Sequence, residues 1–495
     1  MNYIDSIHDL LSIIGSGHMP AIAYDTAWAA RLGDIAPDIS NRALDWICEH
    51  QLPDGSWGAA EPFYYHDRVI STLAAMIAIS QRGQRTGDKK IVERGLAALN
   101  RIVVGATHGL AADPNGETIG FEMIVPTLVA DAHRLGLIGS QDNRILGRMG
   151  DVRKIKQTKL KHRISRYITP AFSAEMAGTD IDMLNIEELP ESNGSIGYSP
   201  AASAYFALIV RPGDPRSLAY LRQCITKDGG MPNVAPFDIF EVGWVLWNLA
   251  QTNPDIIHDP MVNKHVNFLH NSWQPGQGVG FAAGYSVCDG DESGLVFDTL
   301  KKYDGNVDIN VILSYEAEDH FRCYELEANP STSTHAHILG ALRGEGMLPD
   351  APAVRKALGF LARNRTLSGF WFDKWHLSPY YVTSQVIIAC SGYAPEIILR
   401  AVDWVMATQR DDGSWGTQIS TAEETAYCIQ ALWTWEQART GHDIPSVSAA
   451  IKKAVPWLKD HAQPPYVPLW IGKGLYCPEN VVHSAILSAL ALARA

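Results

Sequence analysis

The heptapeptide CDGDESG at 288–294 places three acids, Asp289, Asp291 and Glu292, within four positions between two glycines. Like charges this close repel, so each carboxylate makes the next harder to ionise. Burial acts in the same direction, and a carboxyl held neutral by its surroundings is a proton donor. The same residue types also suit a solvated turn or a helix N-cap, because Asp and Ser favour both. A helix is expected to begin just after, at LVFDTLKKY (295–303). Its dipole opposes protonation at rest and stabilises the carboxylate once the proton has left.

The elements that would hold such a group are helical. RVISTLAAMIAISQR (68–82), SAYFALIV (203–210), FEVGWVLWNLA (240–250), HAHILGAL (335–342), AEETAYCIQALWTW (422–435) and VVHSAILSALALARA (481–495) carry apolar residues at i, i+3, i+4. Many are apolar on more than one side, as in helices buried between neighbours. Strand signals are sparse, so the expected fold is all-α, built of stacked helical hairpins separated by Gly, Pro and Asp-Gly breaks. QLPDGSWG (51–58) recurs as QRDDGSWG (409–416), with weaker echoes at TKDGGMPN (226–233), NGSIGYSP (193–200) and RTLSGFWF (365–372). In this unit Asp-Gly turns the chain and Ser caps the next segment. Trp57 and Trp415 bury a large face whose N–H needs a partner, for which the Gln is a candidate. One strong copy near each end suggests two related helical barrels.

Composition narrows the function classes. With 46% hydrophobic and 19% charged residues the 495-residue chain is globular, long enough for about three ordinary domains or two large ones. A net charge of −13 with scattered basic residues argues against nucleic-acid binding. The exception is the basic run RKIKQTKLKHR (153–163), either a solvated helix face or an anion site. Seven cysteines without a CxxC pair argue against disulfides or a thiolate zinc site and fit a reducing compartment. No basic n-region opens the chain and no apolar run approaches a membrane span, so a soluble cytoplasmic protein is expected.

QxxDGSWG resembles the QW repeats of the terpene cyclase superfamily, whose members build α-α barrels. AYDTAWAARL (23–32), DWICEHQLPDGSWG (45–58), IGFEMIVPTLVADAHRLGL (119–137), GYSPAASAYFAL (197–208), GGMPNVAPFDIFE (229–241) and WIGKGLYC (470–477) are similar, in order, to successive blocks of class II diterpene cyclases. FDKWHLSPYYVT (372–383) and TAEETAYCIQAL (421–432) most resemble bacterial enzymes that make rearranged bicyclic diphosphates, the kolavenyl and halimadienyl (tuberculosinyl) diphosphate synthases. The resemblance implies two α-α barrel domains with the active site between them. Residues 19–255 would be the inserted barrel, and 1–18 plus 256–495 the barrel carrying the acid.

It also implies the chemistry, in which a carboxylic acid protonates the terminal alkene of geranylgeranyl diphosphate. The family's DxDD appears here as DxDE, which places the acid at Asp291 with Asp289 and Glu292 in support. His337 matches the residue that hydrogen-bonds the acid, with His335 second. Aromatic faces stabilise the resulting cation, and Trp371, Trp375, Tyr380 and Tyr381 are the candidates. In plant relatives that make the unrearranged labdane skeleton, a His–Asn pair holds the water that takes the last proton. Here Asn233 remains, and Ala174 falls where the His would be. A longer-lived cation would then undergo hydride and methyl shifts, giving a kolavenyl or halimadienyl skeleton. The diphosphate would be retained, since the DDxxD and NSE-type motifs that ionise it are missing from the sequence. It therefore suits a downstream class I terpene synthase as functional partner. Mg²⁺ would bind near DPNGETIGFE (113–122), through Glu117 and Asp113, with Glu122 structural. Lys159, Lys161 and Lys473 are candidates to pair with the phosphates. The alternatives are a labdane-type copalyl diphosphate synthase, a squalene-type triterpene cyclase, and a non-catalytic α-barrel binding protein.

Overall fold

The computed structural model describes the chain except residues 1–2, 84, 106–117, 140–142, 148, 253–258, 304, 328, 440–444 and 495. Two kinds of helix build it. Pro379–Cys390 buries eleven of its twelve residues, all but Ile388, and so needs neighbours on every side. Pro352–Asn364 buries only Ala353, Val354, Ala357, Phe360 and Leu361, a single stripe. The first kind forms inner rings and the second covers them.

One ring has six inner helices: Asp238–Ala250, Gly290–Lys302, Thr332–Gly344, Pro379–Cys390, Ala422–Ala438 and Glu479–Leu492. Each packs on the next and the last on the first. Around them lie Tyr3–Ile13, Pro260–Ser272, Ile309–Ser314, Pro352–Asn364, Pro395–Ala407 and Pro445–Asp460. A second ring is closed by Ala23–Ala30, Tyr65–Arg82, Phe121–Arg134, the tight-turned segment Thr169–Ala177 and Pro200–Tyr205. Side-chain caps start several inner helices: Ser199, Asp289, Ser331, Ser378 and Thr421 each accept a first-turn backbone N–H. Among the described residues the strands are two short pairs, Ala21–Ile22 with Met231–Pro232 and Trp470–Ile471 with Leu475–Tyr476. No helix among them is long and apolar enough to cross a membrane, and the seven cysteines are free.

The expected boundary at 255 moves. Asp238–Ala250 packs on Pro260–Ser272, Gly290–Lys302 and Glu479–Leu492 and completes the acid-bearing ring, so that ring comprises 1–18 plus 238–495. Where the chain leaves this ring and returns to it, the two crossings touch. A Cβ on Gly17 would lie 2.2 Å from the Phe237 amide nitrogen, so only glycine fits. Glu241 ties the crossing by accepting from the backbone N–H groups of Gly15 and Gly17 and from Asn480.

The repeat works differently from the expectation. The Trp57 indole donates to Ile47 O at 2.7 Å, and Trp415 to Val405 O at the same distance. Each acceptor lies in the last turn of the preceding outer helix, where carbonyls lack partners. The glutamines do not serve the indoles. Gln51 donates to Gly55 O and Ile91 O, and Gln409 to Gly413 O and Ala450 O, fastening the turn to the next outer helix. Trp371 is a third copy: its indole donates to Leu361 O at 2.7 Å, and its amide to Thr383 as Trp415's does to Thr425. This assigns Trp371 to the barrel wall rather than to a cation pocket. Trp371→Phe leaves that carbonyl unpaired and should cost about 1–3 kcal/mol, seen as earlier thermal unfolding. The product profile should not change.

Candidate active site

CDGDESG forms the start of an inner helix. Asp289 caps it, accepting from the Glu292 amide at 2.7 Å, so one of the three acids is a helix cap. Gly294 lets this helix approach Thr332–Gly344 closely, since a Cβ there would sit 3.0 Å from the Ile338 amide nitrogen. That approach brings Asp291 Oδ1 within 2.9 Å of His337 Nδ1. With the ring proton on Nδ1, the imidazole donates to Oδ1.

The three acids differ in exposure. Asp289 and Glu292 are buried, whereas the Asp291 side chain keeps 15% of its surface. Of the three, Asp291 alone keeps surface that a bound molecule could touch. Burial, followed by the charges of the neighbouring carboxylates, holds Asp289 and Glu292 well above the usual carboxylate range. Their second oxygens, Asp289 Oδ2 and Glu292 Oε2, are buried without partners, as suits neutral or proton-sharing groups.

His337 is fixed from two directions. Its ring stands edge-on to Trp244 at 5.2 Å. Its helix is anchored by Asp373, which accepts from the Thr332 and Ser333 amides, the Ser331 and Ser333 hydroxyls and the Trp375 amide. Asp373 was not anticipated from sequence although it lies in FDKWHLSPYYVT; an acid set among aromatics was its signal. His335 does not reach Asp291. It accepts from the Phe321 amide, bonds Ser331 O and stacks on Phe360, and burial pushes its pKa down to about 4.

Beside the acid stands an aromatic wall of Trp244, Tyr381 and Trp470, with ring centroids 5.0–5.9 Å apart. His376 stacks on Tyr381, and Glu423 fixes the wall by accepting from the Trp470 indole and the Tyr427 hydroxyl. Tyr381 was foreseen. Trp244 and Trp470 were not, although both lie in segments singled out in the sequence. Tyr380 points the other way, stacked on Trp404 of an outer helix. Trp375 lies further out, edge-on to Tyr324 with the Lys374 ammonium over its face.

The expected phosphate ligands are not brought together. Lys159 and Lys161 are exposed at the end of Met149–Leu160, while Lys156 turns inward to pair with Glu122. Lys473 is fully buried in the inserted ring, 2.7 Å from Glu175 Oε1 and 2.6 Å from Ser199 Oγ, with its ammonium over Phe172. It is therefore already neutralised. Asn233 accepts from the Lys473 amide, so it also holds the hairpin that carries Trp470. Ala174 is fully buried next to Glu175. Glu117 and Asp113 lie outside the described residues. Among those described, no group of three or more acidic, His or Cys side chains is arranged to hold a metal ion.

Comparison with known proteins agrees with this geometry. Residues 319–439 match the family profile of the squalene-hopene cyclase C-terminal domain. The chain is 46% identical over 488 residues to a type B diterpene cyclase of Mycobacterium tuberculosis, covering 97% of this chain and 96% of the relative. It is 29% identical to the labda-7,13-dienyl diphosphate synthase of Streptomyces clavuligerus, covering 98% and 91%. The structure of ent-copalyl diphosphate synthase from Streptomyces platensis superposes with a TM-score of 0.81 at 28% identity, over 100% of this chain and 99% of that one. Near-full-length identity of this order, on the same double ring, shows that the chain belongs to the class II diterpene cyclases.

Proposed function

We propose that this protein cyclises geranylgeranyl diphosphate by protonating its terminal alkene and releases a rearranged bicyclic diterpenyl diphosphate. The observation that carries the reading is the Asp291–His337 contact at 2.9 Å, set at a helix N-terminus beside Trp244. An alkene is a weak base, so its acid must be neutral and aimed. Burial holds Asp289 and Glu292 well above the usual carboxylate range, so the acid stands among proton-retaining neighbours. As the proton moves to carbon, negative charge grows on Asp291. The helix N-terminus and a donating His337 then stabilise it. The cation left on the substrate faces Trp244, Tyr381 and Trp470, whose π-faces attract it and offer no nucleophile. Mg²⁺ would neutralise the diphosphate, with Glu117 and Asp113 as its proposed protein contacts.

The rearranged skeleton rests on Ala174. A buried alanine supplies no base, and the Asn233 carboxamide oxygen is engaged by the Lys473 amide. Hydride and methyl shifts therefore have time to run before the cation loses a proton, which leads to a kolavenyl or halimadienyl diphosphate. The named relatives make diterpene products, which supports geranylgeranyl diphosphate over squalene as substrate.

Asp291→Asn should lower turnover of geranylgeranyl diphosphate by about 10³-fold or more without lowering the unfolding temperature, and Glu292→Asp should stay active. Normal product from Asp291→Asn would remove Asp291 as the acid. Ala174→His should shift the dephosphorylated products toward an unrearranged labdane. An unchanged profile would show that termination is controlled elsewhere.

A further inference from the structure

We infer that Glu423 is the fixed negative charge behind the aromatic wall, and that it draws the carbocation back across the ring system and so sets how far the skeleton rearranges. This rests on the reading of Asp291 as proton donor to the terminal alkene. Glu423 acts through the rings of the wall, as a positioning residue.

Two segments of the sequence meet at this point: FDKWHLSPYYVT supplies His376 and TAEETAYCIQAL supplies Glu423. Glu423 is 1% exposed, in the first turn of Ala422–Ala438. Its Oε1 accepts from the Trp470 indole at 2.7 Å, the Tyr427 hydroxyl at 3.0 Å and His376 Nε2 at 3.3 Å. Three donors on one oxygen suit a carboxylate, yet none of them is a cation. His376 Nδ1 accepts from the Ser378 amide, which places the ring proton on Nε2 and leaves the imidazole neutral. Among the described residues His376 is the one ion-pair contact of Glu423, and Glu423 Oε2 is buried without a partner. A buried carboxylate without a counter-ion is costly. The reaction supplies the missing cation, so the attraction is strongest when the intermediate forms.

The rings extend this charge toward the substrate. An indole that donates to a carboxylate is polarised by it, and its face attracts a cation more strongly. Trp470 stands 5.0 Å from Tyr381 and 5.7 Å from Trp244, and His376 stacks on Tyr381 at 4.6 Å. Trp244 in turn stands 5.2 Å from His337, which holds Asp291. Glu423 and Asp291 thus lie along one continuous row of rings in the acid-bearing barrel.

This placement gives the rearrangement a direction. Asp291 protonates the terminal alkene, so the first ring forms beside it. Closure of the second ring leaves the positive charge on a tertiary carbon of that second ring, away from Asp291. In each later shift a hydrogen or methyl moves with its electron pair onto the cationic carbon and leaves the charge on the carbon it came from. The charge returns toward the first ring, where the Asp291 carboxylate and Glu423 both attract it. Ala174 leaves time for the shifts, and Glu423 favours their course.

Two variants separate the charge from the hydrogen bonds. Glu423→Gln keeps an acceptor for the three donors and removes the charge. Glu423→Asp keeps the charge and draws it one methylene back from the donors. In Glu423→Gln the ratio of unrearranged labdane to rearranged diphosphate should rise by about tenfold or more, with the unfolding temperature kept. Glu423→Asp should keep the wild-type ratio. Binding of a bicyclic diphosphate with an ammonium nitrogen in its first ring is measured against the neutral carbon isostere. Glu423→Gln should lose about tenfold of the wild-type preference for the ammonium, and Glu423→Asp should retain that preference. An unchanged product ratio or an unchanged ammonium preference in Glu423→Gln would overturn the proposal. So would shifts of equal size in both variants, which would mark Glu423 as a structural anchor of the wall. Wild-type protein that yields no rearranged diphosphate would overturn the functional reading itself, and the proposal with it.

Discussion

A carboxylic acid can protonate an alkene only where it is kept protonated, dry and aimed, and the structure can be understood from that constraint. Two effects compete at the head of Gly290–Lys302. The helix dipole favours the anion by about 0.3–2 kcal/mol. Full burial of a carboxyl opposes the anion more strongly. Burial therefore wins for Asp289 and Glu292, and the neighbouring charges add to it. Asp291 stands between them in the sequence and keeps part of its surface, with its direction set by His337. The dipole matters later, when the proton is gone.

The double ring derives from the same constraint. One ring carries Asp291 and the aromatic wall. The hairpin Trp470–Tyr476 couples the two rings, since Trp470 stands in the wall while Lys473, three residues on, is buried against Glu175 of the inserted ring. Breaking a buried pair leaves an uncompensated charge and costs far more than the pair itself contributes. Docking of the barrels and placement of the aromatic wall thus depend on the same short segment.

Much of this was legible in the residues. Helical periodicity and capping residues anticipated the rings, and the crowded acids pointed to the site. What stayed hidden depends on direction rather than type. Tyr380 and Tyr381 are adjacent, yet a helix turns about 100° per residue, so one stacks on an outer helix and the other faces the wall. Trp371 was a cation candidate by residue type alone, although RTLSGFWF echoes the repeat and its hydrogen bonds match those of Trp415. A lysine's charge suggests a phosphate until its buried partner is seen, as Glu175 shows for Lys473. The boundary at 255, taken from the resemblance, moves because the ring needs Asp238–Ala250 as its sixth wall.

The central claim is that a solvent-derived proton on Asp291 is added to carbon. Cyclisation of geranylgeranyl diphosphate with Mg²⁺ in deuterium oxide, with dephosphorylation and analysis by mass spectrometry and NMR, measures this directly. The expected result is one non-exchangeable deuterium per product molecule, on the ring carbon that was the inner carbon of the terminal alkene. A cyclised product carrying no deuterium at that carbon would contradict the claim.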